Sequence, residues 1–302
     1  SKAVMPSFDF NGFSVDEVAG NSATNNNIHS FVAWCWKAGG DSNTYNVDGV
    51  GYASAAAAGL DGGNITPTGA SVGTKQGFSI IKYIGIGGSN DETISHGLSQ
   101  SPNMVIIKNL TDSVGWAVAH TGTDPGNNRQ LRLDTNGDVD DVTFLGLNKS
   151  NFTSTTFAVN ASDNASNYVN TSGKNYIAYL WHDVPGLQKF GRYEGNADAN
   201  GNGPYVELGF KPAILWLKNI DDNENWYVYD TERMKYNPAY QTLQLSDNGA
   251  EETGTTNTRI DILSSGFKLR QSNGPNNSNS YIYCAWAESP AINLYGGQSN
   301  AR

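Results

Sequence analysis

The chain contains part of itself twice. Ser101-Pro102-Asn103-Met104-Val105-Ile106-Ile107-Lys108-Asn109, followed by Trp116, returns as Lys211-Pro212-Ala213-Ile214-Leu215-Trp216-Leu217-Lys218-Asn219, followed by Trp226. Pro102 and Pro212, Asn109 and Asn219, and Trp116 and Trp226 are each 110 residues apart, so three landmarks hold one register. Solenoid units repeat every ~20 to 50 residues, and a longer period marks a duplicated domain. The fold question reduces to one module.

The register runs through the rest of both copies. Tyr83 answers Tyr193, Leu98 answers Leu208, and Phe157 answers Phe267 at the same offset. Leu131 and Leu133 match Leu243 and Leu245 at offset 112, and the aromatic run Tyr176-Ile177-Ala178-Tyr179-Leu180-Trp181 matches Tyr281-Ile282-Tyr283-Cys284-Ala285-Trp286 at offset 105. Offsets change only between strand-like runs, where loops absorb insertions. A partial third copy opens the chain: residues 31–36 align with 281–286 at offset 250, and residues 12–15 with 266–269 at offset 254. The expected division is 1–37, closing strands of a truncated upstream module whose first half either precedes Ser1 or belongs to another subunit; 38–76, a Gly/Ala/Asn-rich linker with one strand; 77–186 and 187–290, the two repeats; and 291–302, a tail.

Apolar residues alternate with period two, and short runs end in Asn-Gly or Ser-Gly turns, the pattern of a sandwich or barrel. Asn (36) and Gly (34) supply those turns in a chain of 302 residues. The predicted fold is all-β: tandem, jelly-roll-like β-sandwich modules of about 105–110 residues, matching the offsets, with a partial third at the N-terminus. Runs apolar on both faces, such as 104–107 and 214–217, are expected to be central strands, with Lys108 and Lys218 emerging into solvent. Trp116, Trp226, Trp36, Trp181 and Trp286 recur in register, as anchors between two sheets would. Cys35 and Cys284 read as two buried free thiols.

Charged residues make up only 16% and the net charge is −10. That balance argues against nucleic acid, which requires a basic stripe, and against an anionic membrane surface. No run of about 18 apolar residues is present to span a bilayer.

Several segments together resemble a repeated domain of unassigned function from tail-fibre and other structural proteins of marine bacteriophages, including cyanophages. They are Phe31-Val32-Ala33-Trp34-Cys35-Trp36-Lys37-Ala38-Gly39-Gly40, Gly77-Phe78-Ser79-Ile80-Ile81-Lys82-Tyr83, His96-Gly97-Leu98 with Ser101-Pro102 and Ile106-Ile107-Lys108-Asn109, and the final Asn300-Ala301-Arg302. The resemblance covers nearly the whole chain. It implies a virion structural protein, with Arg302 as the natural C-terminus and further modules upstream, and it carries no agreed catalytic residues. In repeat 2, Val206-Glu207 stands where Ser95-His96-Gly97 would, so His96 is not part of a duplicated reactive site.

Candidate chemistry is sparse. Asp198, Asn200 and Asn202 begin an Asp-x-Asn-x-Asn-Gly calcium loop, but its twelfth position is Gly209 where a bidentate Glu is needed; a hairpin tip is the competing reading. Asp134, Asn136, Asp138 and Asp140 place oxygens at alternate positions, again a weak calcium candidate or solvated acids. His29, His96, His120 and His182 lack metal-ligand spacing and read as structural. Asp183, Glu194, Asp230 and Glu232 form no duplicated pair for glycoside hydrolysis. Trp34, Trp216, Tyr227, Tyr229 and Tyr236 lack an aromatic counterpart in every copy and are candidates for stacking on sugars, against core or interface packing at each.

The functional expectation is a non-catalytic part of a phage tail fibre or similar appendage, located in the virion and holding a surface for host glycan or protein. It would act without a resident cofactor, calcium aside; the resemblance to phage fibre proteins implies assembly as a homotrimer with other virion proteins. The alternatives are a cellular surface filament of the same modules and a polysaccharide-degrading tail enzyme.

Overall fold

The computed structural model describes residues 5–287 except 6, 10–11, 16–24, 26–28, 41–42, 124–128, 140–144, 162–165 and 254–258. The proposed tail 291–302 lies outside the described residues. The chain divides into Ser1–Trp36 and Lys37–Arg302.

In the first unit, β1 (Ser7–Asp9) and β2 (Gly12–Ser14) form an antiparallel hairpin with Phe8 opposite Phe13. Phe8 and Phe13 are 82% and 36% exposed. Residues 31–36 alternate in exposure as an extended chain does, yet they join no sheet, so the expected closing strand is not formed as such.

The second unit begins with a correction. Residues 38–76 are not a linker with one strand; they supply β3 (Tyr45–Val47), β4 (Val50–Tyr52) and β5 (Gly69–Gly73). Asp48 and Gly49, at φ 50° and 85°, make the tight turn between β3 and β4. Ile65 and Val72 are buried in the first module's core. The strands are short and rich in small residues, so burial depends on neighbours that local periodicity does not reveal.

The first repeat adds β6 (Phe78–Ile84), β7 (Glu92–Ser95), β8 (Met104–Asn109), β9 (Trp116–His120), β10 (Leu131–Arg132), β11 (Thr156–Val159), the short helix α1 (Ser166–Val169) and β12 (Asn175–Trp181). Its large sheet runs β10-β9-β8-β12-β6-β5-β3-β4, with β7 and β11 paired separately. The second repeat comprises β13 (Gln188–Glu194), β14 (Tyr205–Glu207), β15 (Pro212–Asn219), β16 (Tyr227–Asp230), β17 (Leu243–Gln244), β18 (Ile260–Leu263), β19 (Gly266–Leu269) and β20 (Ser280–Ala287). Its sheets run β13-β20-β15-β16-β17 and β14-β19-β18. The larger of these repeats β6-β12-β8-β9-β10 strand for strand. The fold is all-β and sandwich-like, as expected. The β1–β2 hairpin also has the register of β18–β19: Phe8↔Phe13 corresponds to Ile262↔Phe267.

One face of each large sheet packs on its own small sheet. Val105, Ile107, Tyr176 and Ala178 meet Ile94, Phe157 and Val159 in the first module, and Leu215, Leu217, Tyr281 and Tyr283 meet Phe267 and Leu269 in the second. Tyr83 stacks on Tyr176 and Tyr193 on Tyr281, both at 5.1 Å between ring centroids.

The opposite faces pack against each other. Trp181 meets Trp286 edge to face at 6.1 Å, His120 meets Phe190 at 6.1 Å, and Cys284 Sγ lies 3.3 Å from Met104 Sδ. A Cβ on Gly122 would fall 2.7 Å from the Gly191 carbonyl oxygen, so the backbones also approach closely here. The recurring tryptophans Trp181, Trp226 and Trp286 are therefore not anchors within a sandwich. Trp226 is fully buried and its Nε1–H donates to Arg132 O at 2.9 Å, across modules. Trp116 remains half-buried beside Lys108, whose Nζ lies 5.5 Å from the ring centroid. Lys218 does not reach solvent: it is fully buried, donates to Asn219 O at 2.6 Å and to Asn136 O at 3.4 Å, and burial lowers its pKa to about 8. Both cysteines are free, Cys284 buried as expected but Cys35 exposed.

The repeated Lys-Asn pair has a structural cause. Asn109 Oδ1 accepts the N–H groups of Thr111 and Asp112, and Asn219 Oδ1 those of Asp221 and Asp222, at 2.8–3.0 Å. Each Nδ2 donates to the hydroxyl of Tyr176 or Tyr281 on the central strand. Buried amides so engaged close the turn and tie it to the core. Asn219→Ala should cost roughly 1–3 kcal/mol, because it orphans buried donors; urea denaturation reads this, and an unchanged midpoint refutes it.

His120 Nδ1 accepts the Gly122 N–H and Nε2–H donates to Tyr283 O at 3.2 Å, so the ring is neutral. His96 is held in the same way by Leu98 N–H and Thr153 O. Burial lowers the pKa of His120 to about 3 and of His96 to about 4. The unfolded imidazoles, near 6.5, take up protons first, so the contribution of these two histidines to stability is constant above that pH. It should fall below it by up to about 1.4 kcal/mol per pH unit for each histidine. Denaturation midpoints between pH 7 and 5 should show this decline, with a shallower slope in His120→Gln; a flat wild-type profile contradicts it.

Candidate functional site

Module 2 differs from module 1 in the connection from β16 to β17. It is two residues longer than the β9–β10 connection, since the offset rises from 110 at Trp226 to 112 at Leu243. Its first turn is fixed at Asp230, whose Oδ1 accepts the Arg233 N–H at 2.9 Å. The Arg233 guanidinium then bonds Asp230 Oδ2 and Glu251 Oε1, both at 2.5 Å, and Val228 O at 3.1 Å. Its charge is consumed within the loop, and the planar fork suits that geometry.

The far side is held as firmly. Asn237 Nδ2 donates to Ile262 O and Asn237 Oδ1 accepts Ile262 N–H, both at 2.8 Å, so one side chain imitates a strand neighbour to β18. Asn237-Pro238 is a cis peptide, and Ala239 exchanges backbone hydrogen bonds with Ile260 at 2.7 and 2.9 Å. Between these clamps the chain turns outward. Tyr236 is 83% exposed, and Glu232 and Lys235 are exposed beside it.

Two adjoining cavities share Glu232, Met234, Lys235 and Asn237. One, about 310 Å³, adds Lys211, Thr231 and Ile262; the other, about 400 Å³, adds Tyr236 and Tyr240. In module 1, by contrast, Lys149 Nζ bonds Thr123 Oγ1 at 2.5 Å and so occupies the start of the matching connection.

A family profile described as a domain of unknown function, DUF7483, matches residues 1–290. The chain belongs to the DUF7483 family. No curated protein and no solved structure matches it. Because the match spans the N-terminal hairpin, residues 38–76 and both repeats, the β16–β17 loop lies inside the family's domain.

Of the five aromatic candidates, the structure places Tyr236 alone at this loop. Trp216 is buried, edge to face with Trp286 at 5.0 Å. Tyr229 is buried in the module core, and Tyr227 is half-buried against it with its hydroxyl pKa raised by desolvation. Neither buried ring can stack on an external sugar, which corrects that expectation for Trp216 and Tyr229. Trp34 is half-buried in the other unit. The sequence reading named Glu232 only as an unpaired carboxylate and missed Lys211 and Lys235, because cavity lining depends on the fold of the loop; the length difference between the copies was the available signal.

The acidic loops are engaged internally. Asp198 Oδ1 accepts the N–H groups of Asn200 and Asn202 at 2.8 and 3.1 Å, and Asn202 O accepts Asn196 Nδ2, the geometry of a hairpin tip. Asp134 Oδ1 accepts Trp116 N–H at 2.9 Å, Asn136 O accepts Lys218, and Asp138 N–H donates to Asn223 Oδ1 at 3.1 Å; Asp140 lies outside the described residues. Among the described residues, no three His, Cys, Asp or Glu side chains group as a metal site. Asp183 Oδ1 accepts Phe190 N–H at 2.8 Å, with its pKa raised by burial, and Glu194 pairs with Arg192 and Ser280.

Arg233→Ala leaves the buried Asp230 carboxylate without its guanidinium. It should cost on the order of 3 kcal/mol and speed amide exchange at residues 231–240 ahead of β15. Unchanged exchange there would show that the guanidinium does not hold the loop.

Proposed function

We propose that this chain is a non-catalytic structural protein of a phage virion, the C-terminal part of a tail fibre or similar appendage, with an adhesive surface in its second module. The supporting observation is the contrast between two copies whose large sheets share five strands in the same order and one tightly clamped loop that presents Tyr236 beside a cavity. Loops on rigid scaffolds are where recognition is commonly built. The host component would be a surface glycan or protein, and the assembly a homotrimer joined to other virion proteins. A net charge of −10 disfavours nucleic acid as the target. No helix among the described residues is long and apolar enough to cross a membrane.

Electron microscopy of the native assembly, with mass measurement of the purified chain, tests this proposal. The expected result is a trimer at the end of a tail appendage. A long homopolymer on a cell surface overturns it, and release of reducing sugar from host polysaccharide overturns the non-catalytic part.

A further inference from the structure

We infer that the cavity beside Tyr236 binds an uncharged pyranose of a host polysaccharide. This inference rests on the adhesive reading and adds the ligand class. The charges at the β16–β17 loop cancel, with Lys211, Arg233 and Lys235 set against Asp230, Glu232 and Glu251. Arg233 is held by Asp230 and Glu251, and Lys211 and Tyr240 have interactions of their own. Three neighbouring side chains are left for a ligand. Among the described residues, Glu232, Lys235 and Tyr236 make no hydrogen bond or ion pair through their side chains. All three are exposed and line the cavity of about 400 Å³.

Glu232 and Lys235 decide the class. An anion in this cavity meets the Glu232 carboxylate and a cation meets the Lys235 ammonium, so a ligand of either sign is repelled by one of them. A hydroxyl both donates and accepts, so the hydroxyls of one sugar can serve the carboxylate and the ammonium together. Tyr236, 83% exposed, offers an aromatic ring to the apolar face of a pyranose, and Met234 and Pro238 add apolar wall. The volume falls within the range of small-ligand sites. The clamps through Arg233 and Asn237 fix the backbone on both sides of Lys235 and Tyr236 before a ligand arrives, which lowers the ordering cost of binding.

The test is calorimetric titration of the full chain with β-1,4-linked trisaccharides of glucose, mannose and galactose, each beside its C6-carboxylate and C2-amine relatives. At least one uncharged trisaccharide should bind, and both of its charged relatives at least tenfold more weakly. Tyr236→Ala should weaken that uncharged probe roughly tenfold, about 1.4 kcal/mol, with thermal melting unchanged. Lys235→Ala should narrow the gap to the amine relative, and Glu232→Ala the gap to the carboxylate relative, shifts that a merely structural role does not produce. No binding of any uncharged probe, equal binding of a charged relative, or binding indifferent to Tyr236→Ala overturns the inference. Adhesion of the labelled chain to intact host cells separates the two proposals. Periodate oxidation of the cell-surface glycans should abolish it. Adhesion that survives oxidation overturns the inference and leaves the adhesive reading standing; no adhesion to untreated cells overturns both.

Discussion

A strand that is apolar on both faces must be covered twice. That requirement governs this molecule. In β8, Val105 and Ile107 are covered by the small sheet of their own module, while Met104 and Ile106 face the other way; β15 repeats the problem with Leu215 and Leu217 against Ile214 and Trp216. A single module cannot cover the second face. The two modules cover it for each other, through Trp181 on Trp286 and Met104 on Cys284. Aromatic rings of this size contribute most of such an interface, and edge-to-face contact adds about 0.5–1.5 kcal/mol to their burial.

The same packing explains why the copies differ where they do. Trp226 and Lys218 are fully buried, whereas Trp116 and Lys108 are half-buried. A buried ammonium requires acceptors, and Lys218 has two carbonyls, one from each module. The sheet edges are treated differently too. In module 1 the edge of β6 is covered by β5. Among the described residues the matching edge of β13 receives no strand; instead Asp183 accepts Phe190 N–H and Val184 O accepts Gln188 N–H. Capped donors do not offer a template for another chain.

The strands and their order of recurrence were legible because duplication is visible without knowing any contact. The closing strands β12 and β20, the strand at residues 12–14 and the pairing of Asn109 with Asn219 follow from offsets alone, whereas residues 31–36, read the same way, are not a strand. The roles of the tryptophans were not legible: periodicity separates two faces but does not say whether a face meets a small sheet or another module. Residues 38–76 hid their strands behind Gly and Ala, although Val47-Asp48-Gly49-Val50 carries a hairpin signal. Tyr229 and Trp216 show the converse error. Lacking an aromatic partner in the other copy, they looked exposed, but Ala119 occupies the place of Tyr229 within an equally buried cluster. Cores tolerate exchange of volume between copies, so a change of residue does not mark a change of exposure.

This distinction narrows where the two modules can acquire separate functions. Positions on the strands are constrained from both sides, by the sandwich core and by the inter-module face, and a substitution there disturbs one of the two. Connections between strands are constrained only at their ends. The β16–β17 loop uses that freedom: Asp230 and Arg233 fix one end, Asn237 and Ala239 fix the other, and two extra residues leave Lys235 and Tyr236 projecting between them. Length difference and rigidity together, more than the presence of an aromatic residue, make this loop the best-supported place to look for recognition.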